Sequence, residues 1–171
     1  MSVKQTNDNG FIISGYTNSF GAGDMDFYII KTNENGDTLW TKTFGGAAYD
    51  ISCSVDITFE NDYVITGYGE SFGHETIDVY LIKINQLGNL LWTQFFERKF
   101  TDYGNSVQQT TDGGFIIGGT TFNPDSIGFT NSDIYLIKTD TDGTVVGFNN
   151  PECPSNKFIL FPNPNNGNFI I

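Results

Sequence analysis

Short runs of apolar residues recur along the chain, rich in Ile, Val, Phe, Tyr and Thr and bounded by clusters of Gly, Asn and Asp. That pattern predicts β-strands joined by tight turns. No window carries the three-to-four spacing of an amphipathic helix. The runs also repeat. Ser2-Val3-Lys4-Gln5-Thr6 returns as Ser54-Val55-Asp56-Ile57-Thr58 and as Ser106-Val107-Gln108-Gln109-Thr110, each 52 residues on. Phe11-Ile12-Ile13-Ser14-Gly15-Tyr16 holds the same register with Tyr63-Val64-Ile65-Thr66-Gly67-Tyr68 and Phe115-Ile116-Ile117-Gly118-Gly119-Thr120. A third block reads Asp26-Phe27-Tyr28-Ile29-Ile30-Lys31, Asp78-Val79-Tyr80-Leu81-Ile82-Lys83 and Asp133-Ile134-Tyr135-Leu136-Ile137-Lys138, the last copy arriving three residues late. A loop insertion around 123–132 accounts for the delay. A fourth block, Leu39-Trp40-Thr41-Lys42-Thr43-Phe44 and Leu91-Trp92-Thr93-Gln94-Phe95-Phe96, fades in the third copy to Val145-Val146-Gly147-Phe148.

Between blocks three and four, Gly36, Gly88 and Gly143 occupy the same place, where a tight hairpin needs positive φ. Each repeat therefore reads as a four-stranded antiparallel meander. The third block is apolar at successive positions, so both of its faces are covered. With no helices to cover them, neighbouring sheets must do it. A repeat of about 50 residues resembles the blades of kelch-like and related propellers. The expected fold is all-β: a partial β-propeller of three four-stranded blades over 2–148 (2–53, 54–105 and 106–148), a linker over 149–157 and a truncated β tail over 158–171. A β-solenoid or irregular sandwich is the alternative. Three blades do not close a ring, so the terminal flanks are expected to face water and to support self-association.

Composition narrows the functional classes. With 20 Asp+Glu against 8 Lys+Arg, the net charge is −12, a surface that repels phosphate backbones and argues against nucleic-acid binding. The 16 Phe and 8 Tyr provide enough bulk for a core, unlike a disordered acidic tail. No apolar run reaches the roughly 20 residues of a membrane helix. Met1 is followed by no basic, apolar or cleavage segment, so no signal peptide is expected in this chain.

Candidate chemistry is sparse. Cys53 and Cys153 form no metal-ligand spacing and read as two idle thiols, a disulfide between them being unsupported. His74 is the only histidine, and no nucleophile motif accompanies it. No cofactor is expected. Asp26, Asp78 and Asp133 precede the third strand and suit backbone bonding in the loop before it; a ring of acids around a site is the less favoured reading. Trp40 and Trp92 read as core packing rather than sugar-stacking platforms. Asp140-Thr141-Asp142-Gly143 looks like the start of a calcium loop, but no distal Glu follows, which leaves Asp140 and Asp142 weak metal candidates. Binding residues are sought where the repeats differ: His74 and Glu75, Arg98 and Lys99, and the insertion at Asp125, although drift in exposed loops explains such differences more simply.

After the Asn/Pro-rich linker, Phe158 to Ile171 reads as a strand, a turn and a second strand. Phe161-Pro162-Asn163-Pro164, followed by Asn166-Gly167 and an aromatic-aliphatic run, resembles the opening of the C-terminal sorting domain of the type IX secretion system of Bacteroidetes. The resemblance covers about the last 14 residues and implies a partner in the secretion machinery and a secreted or cell-surface address. Together with the absent signal peptide, it suggests a fragment of a modular surface protein. A non-catalytic binding or adhesion segment, with a glycan or protein ligand, is the function expected. A fragment of a propeller hydrolase or lyase, its active residues in other blades, is the alternative.

Overall fold

A computed structural model describes residues 1–72, 76–97, 101–124 and 130–146. Among them there are only strands and turns. The first sheet is β1 (Ser2–Gln5), β2 (Phe11–Thr17), β3 (Asp26–Thr32) and β4 (Thr38–Phe44). The second is β5 (Asp50–Ile57), β6 (Tyr63–Gly69), β7 (Asp78–Ile84) and β8 (Leu90–Phe96). The third is β9 (Thr101–Gln109), β10 (Phe115–Pro124) and β11 (Thr130–Thr139). Each is an antiparallel meander with neighbours in chain order. Where the third sheet's fourth strand was expected, Val145 makes an isolated bridge to Thr139. Residues 147–148 lie outside the described part. No helix among the described residues is long and apolar enough to cross a membrane.

Turn chemistry fixes the register. Gly36, Gly88 and Gly143 have φ of +87°, +76° and +79°, a region that costs a side chain. The turns between first and second strands use Asn9 and Asn61, at φ 64° and 66°, and then Gly113 at 84°. Asn is among the few non-glycine residues that enter this region readily. β5 and β9 begin at Asp50 and Thr101 and so run across the 53/54 and 105/106 repeat boundaries. A bulge at Ser52/Ser54 restores the alternation within β5. In the third repeat much of the segment expected as an inserted loop is paired strand, out to Pro124↔Thr130.

The sheets stack in a row and the core lies between them. The first sheet's Ile12, Phe27 and Ile29 pack on Val55, Tyr63, Ile65, Tyr80 and Ile82 of the second. The second sheet's opposite face, Val64, Val79 and Leu81, packs on Val107, Phe115, Ile117 and Ile137 of the third. β7 is thus buried on both faces from Asp78 to Ile82, as its unbroken apolar run requires. In β3, one sheet further out, Tyr28 and Ile30 are only half-buried. Ile134 of β11, at the other end, is 74% exposed. Trp40 stands against Tyr63 at 6.3 Å between centroids, and Trp92 against Phe115 at 5.6 Å. Both tryptophans pack against the core clusters.

Adjacent sheets touch along their first strands, β1 with β5 and β5 with β9. Lys4 pairs with Asp56 at 3.2 Å, and Gln109 N donates to Asp56 Oδ2 at 3.2 Å. At the other rim long side chains span the gap: Trp40 Nε1 donates to Gln86 O and Gln94 Nε2 to Asp142 O. A second recurring device is ionic. The third-strand lysine reaches an acid in the turn between the first and second strands: Lys31 to Asp8 at 2.9 Å, Lys83 to Glu60 at 3.6 Å and also to Asp62 at 3.7 Å, and Lys138 to Asp112 at 2.8 Å. Lys31 is only 3% exposed and also donates to Thr32 O at 2.8 Å, so its ammonium is paired where it is buried.

Candidate functional site

A cleft of about 670 Å³ opens between the first and second sheets. Gly21 and Ala22, in the chain before β3, line part of it. Phe44 lines it from the first sheet, and Phe72, Tyr80 and Phe95 from the second. The rings form a cluster. Tyr80 and Phe95 stack at 4.5 Å and 16°, and Phe72 lies 4.6 Å from Phe95. Tyr80 also meets Phe27 at 4.7 Å. Phe72, 44% exposed, is the ring that reaches solvent.

The polar groups of the cleft come from strand ends. Asp26, the first residue of β3, lines it beside Thr93 of β8. Asp26 Oδ2 accepts from the amides of Ala22 and Gly23 at 2.7 and 3.3 Å, which matches the backbone-bonding role read from its position. Behind it lies Asp50, the first residue of β5, whose Oδ2 accepts from Gly46 N at 2.8 Å. The Asp50 amide donates to Met25 O at 2.7 Å, tying the starts of β3 and β5 together. A Cβ on Gly45 would lie 1.9 Å from Asp26 Oδ1 and 2.8 Å from Asp50 Oδ2. The two carboxylates therefore share the space that a side chain at Gly45 would fill. Both are buried, at 1% and 0% exposure, and neither Oδ1 has a hydrogen-bond partner.

This arrangement perturbs ionisation. Burial raises the Asp50 pKa, and the charge of Asp26 adds to the effect against hydrogen bonds from Ser71 and Gly46. Burial also pushes the Tyr80 phenol up to about 12, with the charges of Asp50 and Asp26 adding and a hydrogen bond with Thr93 opposing. Paired carboxylates with one raised pKa are the raw material of acid–base chemistry. Their burial, however, withholds them from a substrate as large as the cleft admits. The junction is built twice: Asp78 and Asp102 stand 52 residues on, buried, with the Asp102 amide donating to Ile77 O at 2.8 Å. A feature repeated at successive sheet junctions serves the junction.

His74, Glu75, Arg98, Lys99 and Asp125 lie outside the described residues, as do the tail positions Phe161, Pro162, Asn163, Pro164, Asn166 and Gly167, and Cys153. Cys53 is half-buried in β5, and burial raises its thiol pKa. Asp140 Oδ1 accepts from the amides of Asp142 and Thr144 at 3.0 and 2.8 Å, closing its own hairpin turn. No cluster of three His, Cys, Asp or Glu suited to a metal occurs among the described residues. The Asp26–Asp50 pair was missed because its members are 24 residues apart and belong to different sheets. The signal was present: Asp50 and Asp102 recur at the repeat interval just before the blocks used to define it.

No protein-family model matches the chain, and no curated protein matches it.

Proposed function

We propose that this chain is a non-catalytic segment of a secreted or cell-surface protein, with its sheets acting as successive blades of a propeller-type stack and its ligand held in the aromatic cleft between the first and second. What carries the reading is the exposed Phe72 ring backed by the Tyr80–Phe95 stack, with the exposed Thr93 hydroxyl beside it. A flat apolar platform next to the exposed Thr93 hydroxyl suits a glycan ring, which offers C–H faces to the aromatic side and a hydroxyl to Thr93. Support for the blade arrangement comes from the doubly buried central sheet and from the contacts along the first strands.

A glycan array followed by calorimetric titration tests the ligand. Binding that is lost in Phe72→Ala, whose exposed ring can be removed without emptying the core, supports the proposal. An array without binders, or binding indifferent to Phe72, overturns it. The address rests on the tail. Replacement of Phe161-Pro162-Asn163-Pro164 by alanine within the full-length protein, in a host with type IX secretion, is expected to retain the protein inside the cell; unchanged export removes that part of the proposal.

A further inference from the structure

The two open faces of the row are copies of the two halves of its internal interfaces. On the first sheet the outward positions are Val3, Phe11, Ile13, Tyr28 and Ile30. Each stands 52 residues before a residue of the second sheet, Val55, Tyr63, Ile65, Tyr80 or Ile82, that is 0–3% exposed against a neighbour. On the third sheet the outward positions are Ile116, Ile134 and Leu136. They correspond to Val64, Val79 and Leu81, all 0% exposed against the next sheet. Ile134 is 74% exposed and Val3 59%. One end of the row thus carries the face that packs forward in each internal junction, and the other end carries the face that packs backward.

We propose that these faces bind one another between copies: the third sheet of one chain packs on the first sheet of a second, head to tail, by the junction already used twice within the chain. The contact is heterologous, because each copy contributes a different surface. Its occupant is specified by the internal junctions, in which Phe27 and Ile29 seat on Tyr80 and Ile82, and Val79 and Leu81 on Phe115 and Ile137. In the intermolecular version, Ile134 and Leu136 take the first role and Tyr28 and Ile30 the second. The inference rests on the stacking of the sheets and not on ligand binding, so failure at the aromatic cleft leaves it standing.

Sedimentation velocity over a hundredfold concentration range tests it with two variants, Val3→Asp and Ile134→Asp. Both positions are exposed in the single chain, so circular dichroism should be unchanged; the milder Val3→Ser and Ile134→Ser provide a second pair should either acid perturb folding. The wild-type chain is expected to sediment faster as concentration rises. Each variant alone is expected to remain monomeric, because every head-to-tail contact then includes one blocked face. Mixing the two is expected to restore a heterodimer and nothing larger, through the intact third sheet of the Val3 variant and the intact first sheet of the Ile134 variant. A wild-type chain that stays monomeric, a variant that still associates alone, or a mixture that fails to pair would each overturn the proposal.

Discussion

Ile29, Leu81 and Leu136 occupy one position of the repeat in three sheets, and their burial differs only because of what lies beyond them. Ile29 and Leu81 are 0% exposed; Leu136, on the open face, is half-buried. Truncation to alanine therefore reads the stacking directly. Leu81→Ala removes three carbon groups from a closed site. At about 0.8 kcal/mol per buried CH2 the transfer cost is about 2.4 kcal/mol, and the cavity left between two packed sheets brings the total to about 3–5 kcal/mol. Ile29→Ala belongs in the same range. Leu136→Ala exchanges a partly wet side chain and leaves a dent that water fills, so about 1 kcal/mol is expected. Urea unfolding at a concentration where the chain is monomeric measures all three, with the m-value checked for constancy, since stacked repeats can lose cooperativity. Equal losses at Leu81 and Leu136 would refute the reasoning, because they would mean that the outer face of the third sheet is as dry as the middle of the row.

Asp50 predicts a pH effect. Its raised pKa means that the folded state holds the proton more tightly than the unfolded chain. Its contribution to stability is then complete below the ordinary 3.8 and is lost as pH rises through the folded value. Melting curves of Asp50→Asn should accordingly be flatter than wild type above about pH 4, and parallel curves would remove the argument. Asp8 has the opposite sign: a hydrogen bond from Lys31 lowers its pKa to about 2, so its contribution is present above the ordinary carboxylate value and fades as pH falls toward about 2. Lys31→Met should shrink that acid limb and leave the smaller part due to the hydrogen bonds from Thr6 and Gly10. With the Asp8 side chain 59% exposed, solvent screening holds the effect to about 1 kcal/mol or less. Gly45→Ala should cost about 3 kcal/mol, because its Cβ meets two carboxylates. Gly36→Ala, with nothing within 4 Å of its Cβ, should cost only the backbone strain of positive φ, about 1 kcal/mol; similar losses in thermal unfolding would contradict the crowding at Gly45.

The strands, the hairpin glycines and the buried central sheet were legible because each follows from a local rule. An unbroken run such as Val79-Tyr80-Leu81-Ile82 has to be covered twice, and Gly36, Gly88 and Gly143 sit where only a left-handed turn explains them. The cleft was not legible. It is lined by Phe44 of one sheet and by Tyr80 and Phe95 of the next, a pairing across repeats that no single run of the sequence encodes. The acid pair was half legible. Asp26 was recognised as a backbone-bonding residue, but its neighbour Asp50 enters from the next sheet, and a meander read one repeat at a time hides contacts across the junction. The lysine device escaped for the same reason: Lys31 and Asp8 are 23 residues apart, and the lysine ends an apolar run whose other members explained themselves.

The translational likeness of the junctions bears on how such a chain changes over generations. Duplication of one 52-residue unit inserts a sheet that already fits both neighbours, and its deletion leaves the flanking sheets able to close over the gap. Array length can therefore drift by unequal recombination without a new contact surface having to arise. Selection is left free to act on the rim loops, where the copies are least alike.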